Sequence, residues 1–517
     1  MTLGRALAVS LVGVNGHLVE VEADLAAGLP GLTLIGLPDT ALHEARDRIR
    51  AAIVNSGESW PQRRITLGLS PASLPKRGSG FDLAMAAAVL QAAGAIPPEA
   101  LSGRVLLGEL GLDGRVRAVR GVLPCVLAAA SVGVERVIVP APNAAEAALV
   151  PGIAVDGVSS LRALVRLLRG EPADDEIAST GPSDLVAEAA DVTDRLDGLD
   201  LSDVVGQPIA RRAVEVAAAG GHHLLLHGPP GAGKTMLAER LPGLLPRLSI
   251  PDALEVTAIH SVAGMLPAGA PLRVRPPYCG PHHTATVPAL IGGGSGVARP
   301  GAVSLAHRGV LFLDEAPEFS SAALEALRQP LESGEVVIAR SAGTARYPAR
   351  FTLVLAANPC PCAGVAAGPS SCVCTPAARR RYATRLSGPL LDRVDLRIAV
   401  QPVGRAELLA DRGCLESTAV VAERVASARS LAASRLAGTS WRSNSEVPGR
   451  ELRGRFAAEP GSLRPAEREL ARGTLSARGF DRVLRVAWTL ADLVGRPRPG
   501  SSEVAEALGL RELLAAA

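Results

Sequence analysis

The chain has 517 residues, 54 of them basic and 51 acidic, with a formal net charge of +3. That length exceeds one ordinary domain and allows two to four, and the near-neutral balance excludes a protein whose affinity for nucleic acid is declared by bulk charge. Hydrophobic residues make up 48% but aromatics only 2%, so the cores are built from Leu, Val, Ile and Ala, and a grip based on stacking nucleobases is disfavoured.

The N-terminal "MTLGRALAVSLVGVNG" has a short apolar run but no small-residue cleavage site after it, which argues against a signal peptide. Val19, Val21 and Ala23 alternate with Glu20, Glu22 and Asp24, the period of a half-buried strand. "FDLAMAAAVLQAAGA" reads as a buried helix. Residues 1–168 mix such strands and helices. The acidic, Pro/Gly-punctuated stretch 169–200 reads as a linker. From 201 to 402 apolar runs alternate with helical segments, the pattern of an α/β unit with a parallel sheet. From 403 to 517 the chain turns helical. Residues 376–517 carry 24 arginines against 16 acids, a surface that either faces phosphate or is simply solvated. No apolar run is long enough to span a bilayer. The expected compartment is the cytoplasm, where disulfides are disfavoured and clustered cysteines lean towards metal.

Only two of the 54 basic residues are lysine, Lys76 and Lys234. Lys234 lies in "GPPGAGKT" (Gly228, Pro229, Pro230, Gly231, Ala232, Gly233, Lys234, Thr235), between an apolar run and a helical one. That is the context of a phosphate-binding loop: glycines let backbone N–H groups wrap phosphate, the helix N-terminus adds a favourable field, the lysine reaches the outer phosphates and the threonine hydroxyl ligates Mg²⁺. "GVLFLDE" follows as a buried strand ending in Asp314, placed to hold Mg²⁺ through water, and Glu315, placed to polarise the attacking water. "FTLVLAAN" is a further strand; Asn358 at its end either orients that water or starts a turn.

Two C-x-C pairs come next, Cys360 with Cys362 and Cys372 with Cys374. Four thiolates suit tetrahedral Zn²⁺; reduced buried thiols and a redox switch are the alternatives. Cys125, Cys279 and Cys414 stand alone. In "SGPLLDRVDL" Arg393 is either an arginine finger for a neighbouring subunit or half of an intrachain ion pair. His282 and His283 read as metal ligands, DNA contacts or a structural loop pair.

"DVVGQ", the phosphate loop, "PHHTATVPALIGGG", "RPGAVSLAHRGVLFLDEAPEF", "NPCPC" and "LSGPLLDRVDL" together resemble the magnesium-chelatase-like AAA+ ATPases, and within them the YifB/ComM group, over nearly the whole chain. The resemblance implies an α/β P-loop AAA+ core with a C-terminal helical lid. It also implies a homo-oligomeric ring, expected to be a hexamer, that hydrolyses ATP with Mg²⁺. By resemblance Lys234, Thr235, Asp314, Glu315 and Asn358 act in cis, Arg393 acts in trans, and Arg478 is the sensor-2 arginine, with Arg485 as second candidate. His223 stands where the family usually has Asn.

The N-terminal unit resembles the α+β Lon-protease-like (ribosomal S5 domain 2-like) fold, through "PKRGSGFDL" and "GELGLDGRVRAVRGVLPCVLAA". The Ser–Lys dyad does not carry over, because Gly80 and Cys125 occupy its two positions, Ser79 is displaced by one and Lys76 lies outside it. A non-proteolytic module is expected. The implied function is a motor on DNA, of branch-migration or helicase type, with candidate phosphate contacts at Arg299, Arg340 and Arg346. The alternative is a magnesium-chelatase-type ATPase driving metal insertion with partner subunits.

Overall fold

The computed structural model describes residues 2–36, 40–76, 78–172, 177–180, 196–266, 272–294, 298–340, 343–362, 372–404 and 415–511. Most of the 169–200 stretch, part of the "GGGSGVARP" segment and Cys414 lie outside these residues.

The first unit is a mixed eight-stranded sheet. Its strands are β1 (Thr2–Val12), β2 (Asn15–Ala26), β3 (Gly31–Ile35), β4 (Arg64–Ser70), β5 (Arg104–Leu106), β6 (Arg136–Pro140), β7 (Ala154–Val158) and β8 (Ile177–Thr180), in spatial order β8-β7-β6-β5-β1-β2-β4-β3. Strand β2 shows the expected alternation: Val19, Val21, Ala23 and Leu25 are buried while their neighbours are partly open. Helix α1 (Thr40–Asn55) and helix α2 (Asp82–Ala92) cover the sheet, and ten of the eleven residues of α2 are buried. An Ala-rich helix can be buried all round because its side chains let neighbouring backbones approach closely. Helix α3 (Val122–Ser131) also packs against β1 and β2.

The second unit holds the site. Its strands are β9 (Leu224–His227), β10 (Tyr278–Cys279), β11 (Val310–Leu313), β12 (Thr352–Ala357) and β13 (Leu396–Ala399), all parallel in the order β10-β11-β12-β9-β13. Both faces are covered, so β11 and β12 are buried at every position, as continuous apolar runs require. Helix α4 (Pro208–Gly220) precedes β9 and helix α5 (Lys234–Leu244) follows it. Two β-hairpins project from this unit, one pairing Gly292–Gly293 with Arg299–Pro300, the other pairing Glu335–Arg340 with Gly343–Pro348.

Two junctions tie the units together. Helix α6 (Ile250–Ala263) packs against α3, and one apolar cluster contains Val122, Val126 and Ala129 beside Ala253, Ala258, Leu272 and Val274. The Ser261 hydroxyl also donates to Glu146. At the other end, helices α7 (Thr418–Leu436) and α8 (Ala477–Leu493) join the cluster formed by α4 and α5.

A chain of buried polar groups runs through this second junction. Arg482 donates to Asp395 (2.5 Å), Asp395 meets His222 Nδ1 (3.2 Å), His222 Nε2 meets Thr489 Oγ1 (2.7 Å), and Asn444 donates to Thr489 (3.0 Å) and Asp492 (2.8 Å). Arg435 forks onto Asp492 at 2.5 and 2.7 Å and lies 4.1 Å above the Trp488 ring.

Candidate nucleotide site

Strand β9 delivers the chain to a loop whose glycines have separate jobs. Gly231 and Gly233 have φ of 75° and 90°, a region where side chains are strained. At Gly228 a Cβ would lie 2.1 Å from the Val400 carbonyl oxygen, so only glycine lets the loop leave the sheet beside β13. Lys234 opens α5 and is 8% exposed. Its ammonium donates to the carbonyls of Gly228 (2.7 Å) and Pro229 (2.8 Å) and to Asn358 Oδ1 (3.0 Å). Burial pushes this lysine below its ordinary range, against the opposing pull of Asp314 and Glu315.

Strand β11 ends beside the loop. The Thr235 hydroxyl donates to Asp314 Oδ2 at 2.9 Å. A hydroxyl and a carboxylate at that spacing are hard oxygen donors of the kind Mg²⁺ takes. Glu315 is one of three non-glycine residues with positive φ among the described residues, at 48°. Such backbone strain is found at functional positions, and here it turns the carboxylate out of the strand direction. The Glu315 side chain lies 3.2 Å from His283 Nδ1, and His283 packs on His282 with ring centroids 4.1 Å apart. Thr235, Glu239, Tyr278, His282, His283, Phe312, Asp314 and Glu315 line one open cleft. Sequence reasoning left the histidine pair among three roles; the structure puts His283 against the carboxylate expected to activate water.

The arginines lie elsewhere. Leu396 pairs with Leu224 and Ala399 with His227, so the phosphate loop leaves the C-terminal edge of the sheet while Arg393 precedes its N-terminal edge. A four-residue parallel strand of about 3.3 Å per residue separates the two. Arg393 donates to the Pro389 carbonyl (2.6 Å) and to Glu332, the intrachain pairing weighed above. Arg478 is exposed and stands 3.7 Å from Asp392, next to Arg393 rather than next to Lys234. Arg485 is half-buried and donates to the Val447 carbonyl. Arg346 pairs across its hairpin with Glu335 at 2.7 Å, whereas Arg340 and Arg299 are exposed with no ion pair among the described residues. His223, at the position where Asn was expected, accepts a bond from the Leu353 amide at 3.0 Å and so ties β9 to β12; burial pushes it down to about 4, which keeps it neutral.

The four clustered cysteines meet. Their sulfurs all lie within 4.8 Å of one another, and Cys360 is 1% exposed. Among the described residues of the first unit no Ser–Lys pair forms. Ser79 donates to Glu109, Lys76 donates to the Pro71 carbonyl, and Cys125 is buried with its thiol held well above the ordinary range by desolvation.

A parallel sheet in this order, a glycine loop opening a helix, and a carboxylate pair at the end of the strand next but one have the form of a P-loop nucleotide site of AAA+ type. Comparison with known proteins agrees. The chain matches the family described as magnesium chelatase, subunit ChlI, over residues 200–408, its C-terminal part over 415–511, and the subunit ChlI of Mg-chelatase over 21–143. It is 58% identical over 512 residues to an uncharacterized protein of Mycobacterium tuberculosis, covering 99% of each chain. It is 40% identical over 516 residues to competence protein ComM of Haemophilus influenzae, covering 99% of this chain and 98% of that one. With the uncharacterized protein YifB of Escherichia coli it shares 41% over 484 residues, 93% and 92% of the two chains. A partial likeness, 30% over 143 residues, links it to Lon protease of Leptospira interrogans, 27% of this chain and 17% of that one. The chain belongs to the magnesium-chelatase-like AAA+ family, in the group of ComM and YifB. Among the described residues no helix is long and apolar enough to cross a membrane.

Proposed function

We propose that the protein is an ATP-hydrolysing ring motor that acts on DNA, with a branch-migration or helicase type of activity. One observation carries the reading: the site is divided. Lys234, Thr235, Asp314, Glu315 and Asn358 share one edge of the sheet, and Arg393 and Arg478 stand at the other. Head-to-tail association brings the second edge of one chain to the first edge of the next, and repetition closes a ring, expected to be a hexamer.

In that ring the loop amides and Lys234 bind the phosphates. Thr235 and Asp314 would hold Mg²⁺, which when bound would supply positive charge against the phosphates. Glu315 accepts the proton of the attacking water, Asn358 fixes that water, and the neighbour's Arg393 and Arg478 stabilise the charge that develops on the transferred phosphoryl group. Zn²⁺ is assigned to the four cysteines on the grounds given below.

DNA as the track is supported by the relative named competence protein ComM and by exposed Arg299 and Arg340 on the two hairpins. Arginines there grip phosphate without regard to sequence, so binding weakens as salt rises. The test is the ATPase rate of the purified chain with and without forked, four-way and single-stranded DNA. We expect stimulation by at least one of them. Turnover indifferent to every DNA but stimulated by a porphyrin-binding partner would support the second reading, a metal-insertion motor, which the chelatase descriptions of the matching families favour.

A further inference from the structure

We propose that Cys360, Cys362, Cys372 and Cys374 form a tetrahedral zinc site that clasps the loop carrying Asn358 to the helix that follows. Cys360 and Cys362 Sγ are 3.4 Å apart, Cys362 and Cys372 3.7 Å, and Cys372 and Cys360 3.5 Å. Zinc–thiolate bonds of about 2.3 Å at tetrahedral angles place sulfurs about 3.8 Å apart. A disulfide would bring one pair to about 2.05 Å. Three sulfurs thus form a triangle with edges close to that length and the fourth lies within 4.8 Å of each, an arrangement of four thiols about one place and not of two bonded pairs. An all-thiolate donor set selects zinc or iron over Mg²⁺ and Ca²⁺. Among the described residues this is the one group of three or more His, Cys, Asp or Glu side chains close enough to share an ion.

The second part follows from where the cysteines sit. Asn358, which accepts from Lys234, is two residues before Cys360. The buried Tyr382 phenol lies near enough to both Asn358 and Cys360 to feel them. Tyr382 lies on the helix Pro376–Ala383, which begins two residues after Cys374 and is capped by Thr375 accepting from Ala378 N at 3.2 Å. Of the nine residues 363–371, eight are Ala, Gly, Ser or Pro, so that stretch offers almost no apolar side chain with which to fix its two ends. An ion held by one C-x-C pair from each end does that work. The site thus sets the position of Asn358 relative to Lys234, and Asn358 is the residue positioned, not the cysteines' ion a participant in chemistry. The zinc assignment stands independently of the ATPase reading; the clasp rests on it.

The experiment uses the full-length chain purified under reducing conditions. Metal analysis should find about one zinc per chain, and none in Cys372→Ser or Cys374→Ser, while Cys279→Ser keeps it. Titration of the metal-stripped, reduced chain with Co²⁺ should give thiolate charge-transfer bands and the intense visible bands of tetrahedral cobalt. Stripped protein whose circular dichroism matches the loaded form should bind ATP as before but turn it over roughly tenfold more slowly, as misplacing a supporting group does, and should recover on adding zinc. Iron in place of zinc, disulfides by mass, or no cobalt bands would overturn the site. Equal turnover with and without zinc would overturn the clasp. A chain that carries zinc yet never hydrolyses ATP would overturn the ATPase reading and leave the metal result intact.

Discussion

The chain's two lysines are both buried, and they are buried for different reasons. Lys234 is 8% exposed and Lys76 is wholly enclosed. Around Lys234 the backbone is shaped by glycines, a helix begins, three acceptors converge on the ammonium, and two carboxylates stand at the end of β11. Around Lys76 there is one carbonyl acceptor, and the nearby serine is engaged by Glu109 instead. Both ammonium groups are pushed below their ordinary range by burial. A depressed lysine therefore marks a site only when what surrounds it can receive a ligand. The first region is an open cleft; the second is packed.

The largest test of that contrast removes the neighbour. Arg393→Ala should lower turnover about 10³-fold, and mixing it with Glu315→Gln chains should restore part of the rate, because some interfaces then hold both native groups. If mixing restores nothing, Arg393 serves only its own chain through Glu332. Glu315→Gln alone should keep nucleotide affinity and lower turnover about 10²-fold or more; normal single-turnover kinetics would remove Glu315 from water activation. Lys234→Ala should weaken ATP binding by about 10²-fold, the loss of charged hydrogen bonds worth about 1.5–3 kcal/mol each, as read by titration calorimetry.

His283→Ala should raise turnover about fivefold without DNA and leave affinity unchanged, since the 3.2 Å contact with His283 no longer holds Glu315. A change in KM alone would make the contact structural. Lys76→Met should have the smallest effect: no change in turnover. Because the folded chain binds this proton less well than the unfolded chain, stability rises with pH in the range just below the model-peptide value of 10.5. The Met variant should lose that rise in denaturant titrations.

The parts of the site that were legible in the sequence are those written in a few adjacent residues. The glycine loop, the Asp314–Glu315 strand end, the strand before Asn358 and the two C-x-C pairs each carry a local pattern tied to a local geometry. The same holds for the alternating β2 strand. What was not legible depends on residues far apart in the chain. His283 meets Glu315 across 32 positions, and Arg478 reaches Asp392 across 86. No periodicity announces either meeting. The boundary drawn at 168 was also a local reading, from composition, and it could not foresee that α6 shares an apolar cluster with α3. His223 shows the same limit: its residue type was noticed, but the amide it accepts from belongs to another strand.

The buried polar chain from Arg482 through His222 to Arg435 bears on how such a machine can move. The links among Asp395, His222, Thr489, Asn444 and Asp492 are buried, so re-angling the C-terminal helices against the sheet would orphan donors and acceptors at about 1–3 kcal/mol apiece. Sheet and helices are thereby riveted into a single lever, and in the proposed ring any stroke would fall to the seams between one subunit and the next.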